Sequence, residues 1–198
     1  MNNAVIIFVK NPELGKVKTR LSATIGNEKA LEIYKELLAH TLMSVKEIMA
    51  DVFIYFSDSI DENIFEFENN FFKKMQKGDN LGERMSNAFK EVFDLWYDNV
   101  IIIGTDCPGL DLNLLENAFL QLDNVDVVIG PAEDGGYYLL GMKKHYAKLF
   151  ENINWSSSSV LQATLDNCNK NKLTHTLLSI LSDVDEEKDL VHLVNLRN

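Results

Sequence analysis

The chain has 198 residues, with 19 Lys and Arg against 30 Asp and Glu, a formal net charge of -11. At 46% hydrophobic and 25% charged it has enough apolar side chain for a globular core, which excludes a disordered chain, and its acidity argues against a nucleic-acid partner held through phosphates. Two cysteines, with no CxxC or Cys/His cluster, exclude a zinc site and a disulfide framework and suit a reducing cytoplasm.

The first apolar run, Ala4 to Val9, stops at Lys10 and lacks a basic leader or small-residue cleavage site. It reads as a buried strand rather than a signal peptide or membrane span. Asn27 to Met49 places Ala30, Ile33, Tyr34, Leu37, Leu38, Thr41, Leu42 and Val45 at three- and four-residue spacings, which predicts a helix with one apolar face. The β-branched and aromatic runs at 51–57, 99–105 and 125–130 predict further strands, nearly continuous in hydrophobicity as in sheets covered on both faces. Helical patterns fall at 81–96 and 112–122, a later strand at 135–142 and another helix at 157–168. Strands alternating with helices predict a three-layer α/β/α, Rossmann-like fold with a mostly parallel sheet. No linker, repeat or low-complexity tract divides residues 1–198, so one domain is expected.

Ligands of such sheets bind beyond the carboxyl ends of the strands, which selects three loops. The first, KNPELGKVKTRL, concentrates Lys10, Lys16, Lys18 and Arg20 in an acidic protein, with only Glu13 opposing them. Gly15 permits a tight turn, and the cations could neutralise a di- or triphosphate, Arg20 by paired hydrogen bonds and the lysines as point charges. The alternative is a solvated basic loop. The second loop, GTDCPGL, puts Asp106 at the end of a buried strand, where a carboxylate either caps the next helix or holds a cation; Asp111 competes for the cap. Magnesium needs only one or two protein carboxylates, with phosphate and water completing its shell. Cys107 reads as a small buried hydrophobe rather than a nucleophile.

The third loop, GPAEDGGYYLLG, sets Asp134 beside Gly135 and Gly136, which allow close ligand approach; a hairpin turn explains the motif equally simply. Asp183 and Asp185 alternate, so they share one face if extended and could share a cation, or they could begin a last helix. WSSSS at 155–159 predicts a helix start with a serine cap and a packed Trp155, or an aromatic and hydroxyl surface, including Ser156, for an acceptor.

Six motifs, FVKNPELGKVKTRL, QKGDNLGERM, IGTDCP, GPAEDGGYYLLG, INWSSSSVL and DVDEEKDL, run in order along nearly the whole chain. Together they resemble the small bacterial glycosyltransferase-like proteins of the nucleotide-diphospho-sugar transferase (GT-A) superfamily, long labelled a domain of unknown function. More distantly they are similar to phospholactate guanylyltransferases. The resemblance implies a nucleotide over the first loop, with Lys16, Lys18 and Arg20 on donor phosphates, and Mg2+ or Mn2+ on Asp106 and Asp185. It implies an acceptor near Gly135, Gly136, Trp155 and Ser156, with Asp134 as the catalytic candidate. Two departures stand out: Thr105-Asp106-Cys107 replaces Asp-x-Asp, and Asn80 stands where the family commonly has Asp. The expected activity is metal-dependent glycosyl transfer from a nucleotide-activated donor to a small acceptor. Nucleotidyl transfer is the runner-up, and nucleotide binding without turnover is the alternative from another class. The expected partners are thus small molecules, with no nucleic acid or membrane span, and the oligomeric state is not legible.

Overall fold

The computed structural model describes residues 2–61 and 70–196. Seven strands form one sheet: β1 (Asn3–Val9), β2 (Asp51–Phe56), β3 (Phe71–Met75), β4 (Asn99–Ile103), β5 (Val127–Pro131), β6 (Tyr137–Met142) and β7 (His175–Leu177), in the order β3-β2-β1-β4-β6-β5-β7. All neighbouring pairs are parallel except those of β6, which runs antiparallel to both β4 and β5. The helices are α1 (Thr19–Ile25), α2 (Asn27–Lys46), α3 (Leu81–Phe93), α4 (Leu112–Leu122) and α5 (Val160–Lys170). The α/β class, the mostly parallel sheet and the main elements agree with the sequence reading.

Helices cover both faces, which is why the strands carry apolar residues at successive positions. On one face Val5, Ile7, Ile54 and Ile101 pack under Tyr34 and Leu38 of α2 and Leu115 and Phe119 of α4. On the other, Ile6, Phe53, Ile102 and Leu140 meet Met85, Phe89 and Val92 of α3 and Cys168 of α5. Each such aliphatic side chain, fully buried, contributes about 1.5–3 kcal/mol of transfer free energy. A third, smaller core joins Leu21 of α1 and Ala30, Ile33 and Leu37 of α2 to Val184 and Leu193 of the C-terminal segment.

Short elements escaped the sequence reading. α1 has only 7 residues, β7 has 3, and β3 (FFKKM) is an edge strand whose two lysines break the apolar run. The helix expected from 157 begins at Val160, and no serine side chain caps it. Instead the Ser157 hydroxyl donates to the Asn154 carbonyl at 2.6 Å and pairs with the Ser159 hydroxyl at 2.8 Å, competing with the cap. Asp111 caps α4, accepting from the Leu114 amide at 2.8 Å, so Asp106 is released from that duty. Asn80 likewise caps α3, accepting from the Glu83 amide at 3.0 Å, while Glu83 reaches back to the Asp79 amide at 2.8 Å. That pairing gives Asn80 a structural role of its own.

Candidate active site

Beyond the carboxyl ends of β1, β2 and β4 lies a cleft of about 630 Å³, lined by residues from all three expected loops and from the C-terminal segment. Of the residues singled out by sequence, Lys10, Lys18, Arg20, Asp106, Asp134, Gly136, Trp155, Ser156 and Asp185 line it. Lys16, Gly15 and Gly135 are not among the lining residues. Lys16 is exposed and ion-paired with Glu13 at 2.6 Å at the end of the turn that Gly15, at φ 77, makes, and the buried Val17 separates it from Lys18.

The first loop is fixed from beneath. The Tyr34 hydroxyl, on α2, donates to the Lys10 carbonyl at 2.7 Å and accepts from the Lys10 amide at 3.0 Å. Burial pushes that phenol up to about 12, so it stays protonated as a clamp. Tyr34 fits the apolar face of its helix, and nothing in helical spacing announces that its oxygen reaches the loop.

Lys18 closes the charged wall. It precedes α1 in the left-handed region, at φ 48 and ψ 46, with a side chain only 4% exposed. Its ammonium lies 2.5 Å from Asp106 Oδ1 and 3.3 Å from Asp185 Oδ1. Arg20 Nη1 lies 3.3 Å from the other oxygen of Asp185. Asp106 and Asp185 are 79 positions apart in sequence, yet they share one cation because Val184 is buried in the third core and its amide donates to the Asp106 carbonyl at 2.9 Å. Period-2 alternation then leaves Asp183 and Asp185 lining the cleft on either side of Val184. Asp189 tightens this segment by accepting from the amides of Asp185 (3.1 Å) and Glu186 (2.8 Å) in the first turn of a 3-10 helix over Glu187–Leu196, so a last helix does begin here, although Asp183 and Asp185 lie before it.

The sequence pattern offers Asp183 and Asp185 as a pair that could share a cation, and the family resemblance selects Asp185 alone; Asp183 lines the cleft as well. Its carboxyl is pushed up to about 7, first by burial and then by the charges of Asp106, Asp134 and Asp185, with Lys18 opposing. Gln76 and Arg84, on and before α3, also line the cleft without having been singled out. Arg84 Nε donates to the Gly78 carbonyl at 3.0 Å, holding the QKGDN loop.

The opposite wall is packed rather than paired. The β5–β6 connection is the hairpin anticipated for Asp-Gly-Gly, and Asp134 Oδ1 accepts from the Gly136 amide at 2.8 Å inside the turn. Gly135 has φ 89, and a Cβ there would come within 2.2 Å of the Ser158 carbonyl oxygen, so the serine loop lies directly on the turn. Trp155 stacks near Phe150 with centroids 6.5 Å apart and presses its indole against Gly82 of α3. It both packs and lines the cleft. Cys107 is buried with its thiol pushed up to about 12, chiefly by desolvation, which makes it inert as a nucleophile.

As a metal site the charged wall offers hard carboxylate oxygens within reach of one cation. Among the described residues no group of three or more His, Cys, Asp and Glu side chains is arranged to hold a metal ion. The donor set fits an ion such as Mg2+ that takes one or two carboxylates and completes its shell with phosphate and water oxygens, not a closed protein cage.

Residues 41–157 match the family described as "Uncharacterized protein conserved in bacteria (DUF2064)". The chain belongs to this family. It is 32% identical to a protein of Desulfovibrio desulfuricans G20 described provisionally as a nucleotide-diphospho-sugar transferase, with a TM-score of 0.89 over 98% of this chain and 88% of the other. It is 29% identical over 184 residues to 2-phospho-L-lactate guanylyltransferase of Methanocaldococcus sp. (strain FS406-22), covering 90% of this chain and 75% of the relative. The 4-diphosphocytidyl-2C-methyl-D-erythritol synthase of Anaerococcus prevotii DSM 20548, 12% identical with a TM-score of 0.65 over 100% and 96% of the two chains, shares the fold. These similarities set the DUF2064 chain among transferases that use nucleotides. No helix among the described residues is long and apolar enough to cross a membrane.

Proposed function

We propose that this protein is a metal-dependent nucleotidyltransferase that joins a nucleoside monophosphate to a small phosphorylated acceptor. The observation that carries the reading is the charged wall, where Lys18 and Arg20 meet Asp106 and Asp185 at the mouth of a cleft sized for a nucleotide. Four carboxylates, Asp106, Asp134, Asp183 and Asp185, line this cleft beside Lys10, Lys18, Arg20 and Arg84, so a polyphosphate needs a divalent cation to enter without strong repulsion. Asp106 and Asp185 would hold that ion, which would screen the phosphates when bound.

In this reading an acceptor phosphate oxygen attacks the α-phosphorus, a new P–O bond forms, the α–β bridging bond breaks, and pyrophosphate leaves. The chain's contribution is positioning and charge neutralisation: Lys18 and Arg20 face the developing negative charge, and Lys10 guards the entrance. An acceptor phosphate is already an anion, so no residue has to remove a proton and Asp134 orients the acceptor. The sequence similarity to a guanylyltransferase favours GTP as the first donor to try.

The glycosyl-transfer reading that the sequence puts first is favoured by the relative described as a nucleotide-diphospho-sugar transferase. There a hydroxyl acceptor would need a base, and Asp134 would supply it. One assay separates the two. The protein is incubated with Mg2+, each nucleoside triphosphate or nucleotide sugar, and a panel of phosphorylated and hydroxylated small acceptors, and the leaving group is identified. Acceptor-dependent release of pyrophosphate is expected; release of nucleoside diphosphate from a nucleotide sugar would favour glycosyl transfer, and release of neither would leave nucleotide binding without turnover.

A further inference from the structure

Lys18 stands where a divalent ion would stand. Its ammonium contacts Asp106 Oδ1 and Asp185 Oδ1, it is almost fully buried, and its left-handed backbone is one that a residue with a Cβ rarely adopts. Arg20 differs: it occupies the outer oxygen of Asp185 with a side chain that is two-thirds exposed, so solvent can replace that contact. Lys18 has no such freedom. A cation so little exposed to solvent, stripped of both carboxylates, would be left uncompensated, so a metal ion arriving alone has to displace a well-paired charge.

We propose that in the nucleotide-free protein Lys18 keeps the divalent cation out of the Asp106–Asp185 pair, and that nucleotide phosphates admit it by giving the ammonium a replacement partner. The inference rests on the reading of the cleft as a nucleotide site and adds an order to it: the metal enters with the nucleotide, not before it. Metal and nucleotide affinities are then coupled, each raising the other by the same factor. Asp134, whose carboxylate lines the same cleft, raises the pull on any cation that does enter.

The test uses Mn2+ as the probe, with free Mn2+ followed by electron paramagnetic resonance and no nucleotide present. Wild-type protein is expected to bind Mn2+ weakly, whereas Lys18→Met binds it at least tenfold more tightly, a gain made by deleting a positive charge. Lys18→Gly suits the left-handed backbone and is expected to repeat the gain should the methionine disturb the loop. Adding Asp106→Asn to either variant is expected to cancel it. If both variants, folded by circular dichroism, bind Mn2+ no more tightly than wild type, the inference is overturned. A parallel titration with a non-hydrolysable GTP analogue separates this from the functional reading. Wild type that binds Mn2+ with the analogue, while the variants show no gain, leaves the nucleotide site standing and removes the gate. Wild type that binds no nucleoside triphosphate with any metal overturns the functional reading, and the release step with it.

Discussion

The two walls of the cleft are built by different physics. The charged wall is a set of long-range ion pairs, Lys18 to Asp106 and Asp185 and Arg20 to Asp185, drawn together by a small apolar core under Leu21 and Val184. The other wall is contact: a hairpin with a serine loop lying on Gly135, and an indole pressed against Gly82. Charges that can exchange partners suit a site that must take in and release phosphates, whereas close packing suits a surface that must keep its shape. Substitutions on the packed wall should therefore register in stability, and those on the charged wall in binding and turnover.

The largest stability effect is expected at Gly135→Ala, where a left-handed φ and a backbone oxygen 2.2 Å from the new Cβ act together. Chemical denaturation should show a loss of about 3 kcal/mol or more. A loss below about 1 kcal/mol would mean that the serine loop moves freely and the wall is not rigid. On the charged wall, Asp106→Asn should lower turnover by about 100-fold or more, the scale of losing a charge-stabilising contact, while leaving circular dichroism unchanged. Trp155→Ala should do some of both, costing about 1–3 kcal/mol through lost packing on Gly82 and Phe150 and raising the KM for the acceptor. Full stability with impaired turnover would assign Trp155 wholly to the acceptor side.

Smaller effects sharpen the contrast away from the cleft. His145, whose Nε2 lies 2.9 Å from the Ser86 hydroxyl, has its pKa lowered first by burial and then by Lys90. Its neutral form is favoured by folding, so the contribution is present above the ordinary histidine pKa near 6.5 and is lost as pH falls through the depressed folded value. Thermal melts between pH 7 and pH 5 should lose less in His145→Asn than in wild type. The smallest effect belongs to Lys16→Ala, whose exposed pairing with Glu13 should change stability by less than about 0.5 kcal/mol and leave nucleotide affinity unaltered.

How much of this was legible follows the same division. The buried strands and long amphipathic helices stand out because their periodicity is local: α4 spans Leu112–Leu122, as its spacing predicts. The edge strand β3 and the three-residue β7 carry too few residues to show a period, and their pairing is set by neighbours distant in sequence. In the cleft, residue type and loop position were enough to single out Lys18, Arg20, Asp106, Asp134 and the pair Asp183 and Asp185. They could not separate Lys16 from Lys18, because the burial of Val17 and the partners Glu13 and Asp106 decide which lysine turns inward. Nor could they show Asp183 half-buried in the same cleft as Asp185, which depends on Val184 finding a place among α1 and α2. Tyr34, a regular member of an apolar helix face, gave no sign that its hydroxyl would hold the first loop.

Calorimetric titration of GTP and of guanosine, each with Mg2+, into wild type and into a Lys18→Met, Arg20→Met double variant bears most directly on the claim that the charged wall holds nucleotide phosphates. The account predicts that GTP affinity falls by about 100-fold or more in the variant while guanosine binding is unchanged, since each lost charge-assisted contact is worth about 1.5–3 kcal/mol and the base makes none of them. Equal weakening of GTP and guanosine, or GTP binding that survives the double substitution, would contradict it.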